Sequence, residues 1–359
     1  MPKVRMRDVA AHAGVSPRTV SNVVSGYRYV SPAMRARVQK SLDELGYQMD
    51  YLARGLKSGR TGFVALVVPN LNEAYHAQLA QAVTRAAADR GLGLLVEATD
   101  GDPATERKIM QEGTANIADG VLLHHLGHMQ NVGYQPPAGF PLVVIGEPGV
   151  GAHLDQVGID HVSAARMAVE HLIEGGRRRI VMIGAGFGAC GQLRYAGYFQ
   201  ALTAAGIEPF RALAPHGMEA DLSAGKAESD ELFSVHARIP DAIFAYNSAV
   251  ALGVMRSLGE HGLQVPADTA VIGVDDTPVT PYVNPSLSVV ATDMGVLARR
   301  ALDHLEEQIR SDPGSHVPSS EVIPCHLIVR ESTVASPGLG GLSEWSQRVP
   351  SEHAKRPPH

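Results

Sequence analysis

From Gly62 to about residue 333, short aliphatic runs alternate with amphipathic segments of helical period. The runs GFVALVVP and LGLLVEAT begin one series, and QVGID and RIVMIGA begin another. Runs this short and this apolar are typical of strands buried on both faces, and the segments between them have the length of covering helices. The alternation predicts an α/β body of two similar lobes, each a doubly wound parallel sheet.

The stretch DVAAHAGVSPRTVSNVVSG, residues 8–26, predicts two short helices joined by a tight turn. Gly14 can adopt the left-handed conformation that closes the first helix. Ser16 can cap the second helix, and Pro17 suits its first position, where no backbone N–H is needed. Small aliphatic residues form two facing stripes, Val9, Ala10 and Ala13 in the first helix and Val20, Val23 and Val24 in the second.

The outward side of the second helix carries hydrogen-bonding groups. Arg18 and Asn22 are one helical turn apart, next to Pro17, and arginine and asparagine can pair with the edges of guanine and adenine. Thr19, Ser21 and the helix N-terminus offer donors suited to phosphate. A helical hairpin with a solvated face is the alternative. The agreement of turn, caps and outward donors favours a helix-turn-helix that binds double-stranded DNA.

Charge is distributed unevenly along the chain. The first 60 residues hold 11 Lys and Arg against 4 Asp and Glu, a net charge of +7, so the remainder of a chain of net charge −6 carries −13. A third helix is predicted from about Pro32 to Leu45, followed by Gly46, which completes a basic head. A basic head on an acidic body favours a polyanionic partner for the head alone.

Two cysteines, Cys190 and Cys325, provide no disulfide framework. The start of the chain, MPKVRMRDVAAHAG, lacks the apolar core of a signal peptide. No apolar run approaches the length that spans a bilayer. We therefore expect a cytoplasmic protein that does not bind a membrane.

The segment YQMDYLARGLKSGRTG, residues 47–62, joins head to body. Leu52, Ala53 and Leu56 fit one helical face, but the segment is short and Gly55 lowers its helix propensity. One interpretation is a flexible linker. The other is a hinge helix that forms only when it is paired with DNA and with a second copy of itself.

Head, linker and body together resemble the lactose repressor (LacI/GalR) family of bacterial transcription regulators, from about Val4 to Thr333. The most specific segments are DVAAHAGVSPRTVSNVVSG, VSPAMRARVQKSLDELGY, LARGLKSGRTG, HLIEGGRRRIVMIG, AIFAYNSAVALG, VIGVDDTP and HLIVREST. The resemblance implies a periplasmic-binding-protein-like body. The expected divisions are a helix-turn-helix head, 1–46; a hinge, 47–61; an N-terminal effector lobe, 62–160 plus about 290–320; a C-terminal effector lobe, 161–289 plus about 321–335; and a disordered tail, 336–359.

The resemblance also implies how the head reads DNA. As one half of a homodimer, it would dock in the major groove of a pseudo-palindromic operator, with Pro17, Arg18 and Asn22 at positions that help to read bases. Leu56 matches the wedge that enters the minor groove and kinks the duplex. Many relatives carry Arg where Asn22 stands, so the half-site sequence stays open. Most family members of this kind are repressors.

The family pattern places an effector between the lobes. It maps effector contacts onto Arg194 in LRYAGY, Asn247 in AYNSA and Asp275 in GVDDT, each just after a predicted strand or at the opening of the next helix, where open α/β sheets bind ligands. Tyr75 and His76 take the place of an aromatic pair that often lines the cleft. Arginine donates, aspartate accepts and asparagine does both, which suits a polyol and makes a sugar the expected effector. Each of the three polar residues has a purely structural alternative, such as Asp275 capping a turn.

This chain departs from the family pattern in three places. Glu73-Ala74 replaces a common Asn-Pro pair before the aromatic residues, and Ser248 stands where Asp usually follows the Asn. Gly146-Glu147 ends the strand PLVVIG, where many relatives have Asp. These changes leave the identity of the sugar open.

Two motifs suggest other chemistry. GAGFGA, residues 184–189, matches a loose dinucleotide fingerprint, but the acidic residue wanted at the end of the next strand is missing, the nearest candidate being Glu208. HHLGH, with His124, His125 and His128, could bind a transition metal, but no Cys or carboxylate cluster accompanies it. We expect neither a cofactor nor a metal, and His124 or His125 could touch the effector.

No nucleophile–base arrangement accompanies a motif, so catalysis has no support in the sequence. Two other function classes stay open. A solute-binding transport protein would explain the body but not the basic head, and a nucleotide-dependent enzyme would explain only GAGFGA.

Overall fold

The structure is a computed structural model that describes residues 4–24, 27–47, 60–112, 117–124, 140–146, 154–209, 220–235, 239–312 and 315–334. The chain divides into two compact units, a head of residues Met1–Thr61 and a body of residues Gly62–His359. The predicted hinge helix with Leu56 and the predicted tail lie outside the described residues.

The head contains the predicted pair of helices and the third helix. Gly14 has a φ of 62° and closes the first helix in the left-handed conformation. Ser16 Oγ accepts a hydrogen bond of 3.1 Å from the backbone N–H of Thr19, and Ser31 Oγ accepts one of 3.3 Å from Met34. The caps read from the sequence are therefore confirmed. The helices are α1 (Met6–Ala13), α2 (Pro17–Val24) and α3 (Pro32–Glu44).

Small aliphatic side chains form the core of the head, and two arginines of α3 fix the turns around it. Arg37 donates from Nε to the carbonyl of Ala13 at 2.7 Å and from Nη2 to that of Gly14 at 2.8 Å, so it satisfies carbonyl groups at the end of α1. Arg35 Nη2 donates to the carbonyl of Tyr27 at 3.0 Å. The fully buried core residues include Val9, Val20 and Val38.

The N-terminal lobe of the body is a six-stranded parallel sheet with helices on both faces. Its elements are β1 (Phe63–Val68), α4 (Ala74–Ala88), β2 (Gly93–Ala98), α5 (Pro103–Glu112), β3 (Val121–His124), β4 (Leu142–Gly146), β5 (Asp155–Ile159), α10 (Met294–Arg310) and β10 (Ser320–Ile323). The strand order is β10-β5-β4-β3-β1-β2. Helices α4 and α10 pack on one face and α5 on the other.

The C-terminal lobe is a five-stranded sheet that is also covered on both faces. Its elements are α6 (His161–Glu174), β6 (Ile180–Ile183), α7 (Gly188–Ala204), α8 (Leu222–Val235), β7 (Ala242–Ala245), α9 (Ser248–Glu260), β8 (Ala270–Val274), β9 (Ser288–Thr292) and β11 (Cys325–Ile328). The order is β11-β9-β8-β7-β6. The last strand, β11, runs antiparallel to β9, unlike the parallel strands expected. The reason is topological, because β9 ends where the chain leaves the lobe and β11 begins where the chain returns.

The chain crosses between the lobes three times. It crosses after Ile159, after Thr292 and at Pro324, the single residue between β10 and β11. The last two crossings lie a few residues after the positions near 290 and 320 that the sequence indicated. The whole of β9 belongs to the C-terminal sheet, and β10 pairs with β5 in the N-terminal sheet, which shifts both crossings.

Two helices of the C-terminal lobe differ from the sequence prediction. Helix α7 begins at Gly188 rather than near Gln192, which places Cys190 in its first turn. Helix α8 was not predicted, because the apolar residues of LSAGKAESDELFSV do not separate clearly from the polar ones onto one helical face. It packs closely on α9 through glycines, since a Cβ on Gly225 would lie 2.2 Å from the carbonyl oxygen of Val250.

Within the described part of the chain, no helix combines the length and the apolar character that crossing a membrane requires.

Candidate effector cleft and DNA-reading helix

A cavity of about 730 Å³ lies between the two lobes of the body. It is lined by residues at or just beyond the carboxyl ends of strands from both sheets, which is where open α/β sheets bind ligands. Its volume falls in the range of small-molecule sites. The five residues that the sequence assigned to the effector all line it; they are Tyr75, His76, Arg194, Asn247 and Asp275. Their role in binding stays a prediction.

Arg194 is held rigidly in the wall of the cavity. Its side chain is buried, Nε donates to His161 Nδ1 at 3.3 Å, and Nη1 donates to the carbonyl of Tyr246. The guanidinium carbon also lies 4.4 Å from the centre of the Tyr246 ring, a cation–π contact. The guanidinium is therefore fixed in direction before any ligand arrives.

His161, the first residue of α6, was not among the predicted site residues. Burial lowers its pKa well below the usual value, and the charge of Arg194 lowers that pKa further. Because Nδ1 accepts from Arg194, the proton of the neutral ring lies on Nε2, which faces Cys190 Sγ at 3.4 Å. The available sequence signal was its position directly after the strand QVGID and after Asp160, which caps α6.

Asp275 follows β8 and has a φ of 76°, in the left-handed region that only a few non-glycine residues adopt. Burial raises the pKa of its carboxyl group, and the nearby charge of Arg194 opposes that rise only in part. Among the described residues, none donates a hydrogen bond to this carboxylate, so it does not cap a turn. A buried acceptor in a strained backbone conformation at a cavity is typical of a binding residue.

Asn247 has a clear structural role at the start of α9. Its Oδ1 accepts from the backbone N–H of Val250 at 2.8 Å, which caps the helix. Its Nδ2 donates to the carbonyl of Ala220 at 2.9 Å and to Glu73 Oε1 at 3.1 Å. The bond to Glu73 joins the two lobes. A ligand that uses the Asn247 amide must therefore compete with Glu73.

Glu73 and His76 are neighbours at the start of α4. Glu73 occupies the N-cap position of α4, but its side chain makes no capping bond, and Oε2 lies 3.5 Å from His76 Nδ1. Burial, followed by the influence of His124, lowers the pKa of His76 to about 3. His76 is consequently uncharged at neutral pH. In the sequence, Glu73 stands out only as a departure from the family pattern.

Aromatic rings flank these polar groups on both sides. In the N-terminal lobe, the rings of Tyr75 and His76 lie 5.3 Å and 5.0 Å from that of His124. In the C-terminal lobe, the Phe187 and Tyr246 rings are 5.4 Å apart. His124 lines the cavity, as the sequence suggested for His124 or His125; His125 and His128 lie outside the described residues. Such aromatic walls suit the apolar faces of a sugar ring.

Gly184, the first glycine of GAGFGA, has a packing reason that does not involve a phosphate. Gly184 has a φ of 89°, and a Cβ there would lie 2.5 Å from the Cβ of Tyr246. The Gly184 N–H donates to Glu228 Oε2 at 3.0 Å, which anchors the loop to α8. Gly186 and Gly188 line the cavity. The loop thus belongs to the cleft.

In the head, the predicted base-reading residues lie on the outer side of α2. Pro17 and Arg18 are exposed, and Asn22 is half-buried. Thr19 and Ser21 are also half-buried, and the Thr19 hydroxyl shares a 2.9 Å hydrogen bond with Ser16. The structure therefore groups all five on one helix, and their contacts with DNA stay a prediction. Such a head, on a chain whose body encloses a cavity between two lobes, defines a DNA-binding regulator with a ligand-binding core.

The comparisons agree with that class. Residues 5–50 match the family of bacterial regulatory proteins of the lacI type, and residues 169–333 match the periplasmic binding protein-like domain. The regulator CelR of Thermobifida fusca is 34% identical over 336 residues, which are 90% of this chain and 96% of CelR. The ribose operon repressor of Escherichia coli (strain K12) is 30% identical over 313 residues, 85% of this chain and 92% of the repressor. A solved CelR–cellobiose complex has a TM-score of 0.68 at 32% identity and covers 92% of this chain and 100% of its own.

The chain belongs to the lacI family of bacterial regulatory proteins, and it is a DNA-binding transcription regulator. The sequence resemblance and the fold class drawn from it are confirmed. The expectation of a regulator rather than an enzyme is also confirmed, because the relatives are transcription regulators.

Proposed function

We propose that this regulator is a cytoplasmic repressor that binds a pseudo-palindromic operator as a homodimer and responds to a sugar in the cleft. The observation that carries the effector is the cavity between the lobes, where the Asp275 carboxylate and the fixed Arg194 guanidinium stand together. The similar regulator CelR has been solved with cellobiose, and another relative is named a ribose operon repressor, which supports a sugar and repression.

The cleft chemistry fits a polyol. Asp275 supplies a strong acceptor and Arg194 a charged donor, so adjacent hydroxyl groups can bind both at once. Tyr75 and Phe187 supply apolar surface from opposite lobes. His76 and His161 are neutral, so they can offer or accept single hydrogen bonds without adding charge.

Control of the head follows from ligand contacts on both lobes. Tyr75 and His76 come from the N-terminal lobe, whereas Arg194, Asn247 and Asp275 come from the C-terminal lobe. A ligand that touches both sets prefers one degree of lobe closure, and that difference in affinity is the free energy that can change DNA binding.

At the operator, each head places α2 in the major groove. Arg18 and Asn22 read base edges, Thr19 and Ser21 approach phosphates, and Pro17 packs at the start of the helix. The paired hinges insert Leu56 into the minor groove, where an apolar wedge kinks the duplex. We expect Leu56→Ala to weaken specific binding far more than non-specific binding, and equal losses would contradict the wedge.

The test uses an operator selected from random duplexes with the full-length protein. Fluorescence anisotropy then measures operator affinity with and without neutral mono- and disaccharides, and a thermal shift assay measures their binding directly. At least one sugar should both raise the melting temperature and change operator affinity. The proposal fails if no duplex is selected, or if no sugar alters either quantity.

A further inference from the structure

Three consecutive residues after α2 present large polar side chains to solvent. Tyr27, Arg28 and Tyr29, here called the aromatic turn, are all exposed, and the tyrosines are 50% and 71% exposed. Neither tyrosine is part of the hydrophobic core of the head. Tyrosine and arginine are the residues that interfaces enrich, so this exposed set has no explanation within the folded head alone.

The aromatic turn is ordered by its own contacts. Arg28 Nη2 donates to the Tyr29 hydroxyl oxygen at 2.7 Å, and the guanidinium carbon lies 4.7 Å from the centre of the Tyr29 ring. The rings of Tyr27 and Tyr29 meet edge to face at 5.5 Å. Arg35 fixes the backbone through the Tyr27 carbonyl. Part of the conformational entropy of this long arginine side chain is thus already lost before any partner binds.

The turn is anchored to the helix that carries the proposed base-reading residues. The Tyr27 N–H donates to the carbonyl of Asn22 at 2.9 Å. Helix α2 has 8 residues, which gives it a length of about 12 Å, close to the width of the major groove. If Asn22 reads a base within the groove, groups beyond the end of α2 reach the edge of the groove, where the phosphates lie.

We propose that the aromatic turn is a phosphate clamp, in which the Arg28 guanidinium and the Tyr29 hydroxyl donate to one phosphodiester group. The Tyr29 oxygen accepts from Arg28, so its own O–H points elsewhere and can donate. A charged, planar donor set can bind a phosphate group in a bidentate manner, the position of Arg28 beyond the end of α2 favours a phosphate over a base edge, and the net charge of +7 over the first 60 residues acts in the same direction. The proposal rests on the proposed binding of operator DNA and adds a contact that does not depend on base sequence.

The test is the salt dependence of DNA binding by the full-length protein. Anisotropy titrations of a selected operator and of a scrambled duplex are made between about 0.05 and 0.3 M salt. Each phosphate contact contributes about 0.9 to the slope of log affinity against log salt concentration. Arg28→Ala should therefore reduce the slope by about 0.9 and weaken binding to both duplexes by about fivefold near 0.15 M salt. Tyr29→Phe removes a neutral donor, so it should weaken binding to both duplexes by a smaller factor and leave the slope unchanged.

Two further variants serve as controls. Lys40→Ala also removes one positive charge from the head, at an exposed residue of α3 whose Nζ lies 3.7 Å from Glu44, and its slope should match wild type. Arg28→Lys keeps the charge, so it should keep the slope and lose part of the affinity because it lacks the planar donor set. Circular dichroism of each variant checks that the head is folded.

The outcomes distinguish a failure of the phosphate clamp from a failure of the proposed DNA-binding function. If the wild-type protein shows no salt-dependent DNA binding, the proposed function fails and the clamp fails with it. If wild type binds and Arg28→Ala matches wild type or Lys40→Ala in slope, the clamp alone is overturned. If Arg28→Ala loses affinity for the operator only, and its salt slope is unchanged, Arg28 contacts a base, which would also overturn the clamp.

Discussion

Replacement of Asp275 by asparagine should affect stability and ligand binding in opposite directions. Asparagine keeps the size of the side chain and tolerates the left-handed conformation at a φ of 76°. The substitution therefore removes the negative charge and little else. The neighbouring Asp276 offers a matched control. The same substitution there removes a charge whose surroundings lower the pKa of the carboxyl group, whereas the surroundings of Asp275 raise it.

The sign of the stability change follows from the pKa of each carboxyl group. Burial raises the pKa of Asp275 more than Arg194 lowers it, so the ionised form disfavours folding at neutral pH. Burial also acts to raise the pKa of Asp276, but hydrogen bonds from Arg330 and Thr280 outweigh it and lower that pKa overall. We expect Asp275→Asn to raise the free energy of unfolding by about 1 kcal/mol, which is about 2 °C in melting temperature, and Asp276→Asn to lower both.

Although Asp275→Asn should be more stable than wild type, it should bind the sugar more weakly. A hydrogen bond to a charged group contributes about 1.5–3 kcal/mol, so loss of the carboxylate should weaken sugar binding about 10- to 100-fold. Asp276 does not line the cavity, and its variant should keep most of its affinity. Scanning calorimetry without ligand and isothermal titration with the sugar found by screening give the two quantities.

Three results would refute this reasoning. A lower melting temperature for Asp275→Asn would mean that its charge stabilises the fold. Equal affinity for sugar in Asp275→Asn and wild type would remove Asp275 from the binding site. Shifts of the same sign in the two variants would show that the local environments of the two carboxylates do not control stability.

The other predictions concern the lobe contact, the cleft loop and acid stability. Glu73→Ala should widen the separation of the lobes measured by spin-label distances, whereas Glu73→Gln, which can keep the 3.1 Å bond to Asn247, should not; equal distances would contradict the contact. Gly184→Ala should lower stability by roughly 2–4 kcal/mol in thermal melts, because the new Cβ meets Tyr246, whereas Gly206→Ala, with φ 65° and open space, should lower it by about 1 kcal/mol. Because the folded protein keeps His76 neutral down to a pKa of about 3, stability should fall as the pH drops below about 6.5, and His76→Gln should flatten that fall by up to about 1.4 kcal/mol per pH unit; an unchanged slope would argue against burial of the neutral ring.

The sequence predicted those features that depend on local chemistry. Gly14 and Ser16 fix the turn of the head through backbone conformation and one capping bond, both of which are properties of neighbouring residues. The assignment of Arg194 and Asp275 to one cleft followed from the family resemblance, together with the position of Asp275 directly after a strand. Alternating apolar runs were sufficient for the two-lobed architecture because each strand must be covered on both faces.

Features that depend on distant contacts could not be predicted. Glu73 and Asn247 are 174 positions apart, and no local pattern signals their hydrogen bond. The role of His161 in orienting Arg194 depends on the packing of α6 against α7. Helix α8 was missed because its apolar residues form no clear stripe and because Gly225, which its close approach to α9 requires, lowers helix propensity.

The return of the chain through Pro324 limits how the body can move. Adjacent residues are separated by about 3.8 Å, and only one residue separates Ile323 in one sheet from Cys325 in the other. The two sheets cannot slide apart at this edge, so their relative displacement must be a rotation about an axis that passes close to Pro324. A small rotation of one lobe about this axis displaces atoms far from Pro324 more than atoms close to it. A ligand that changes the angle between the lobes therefore moves remote parts of the lobe by the largest distances.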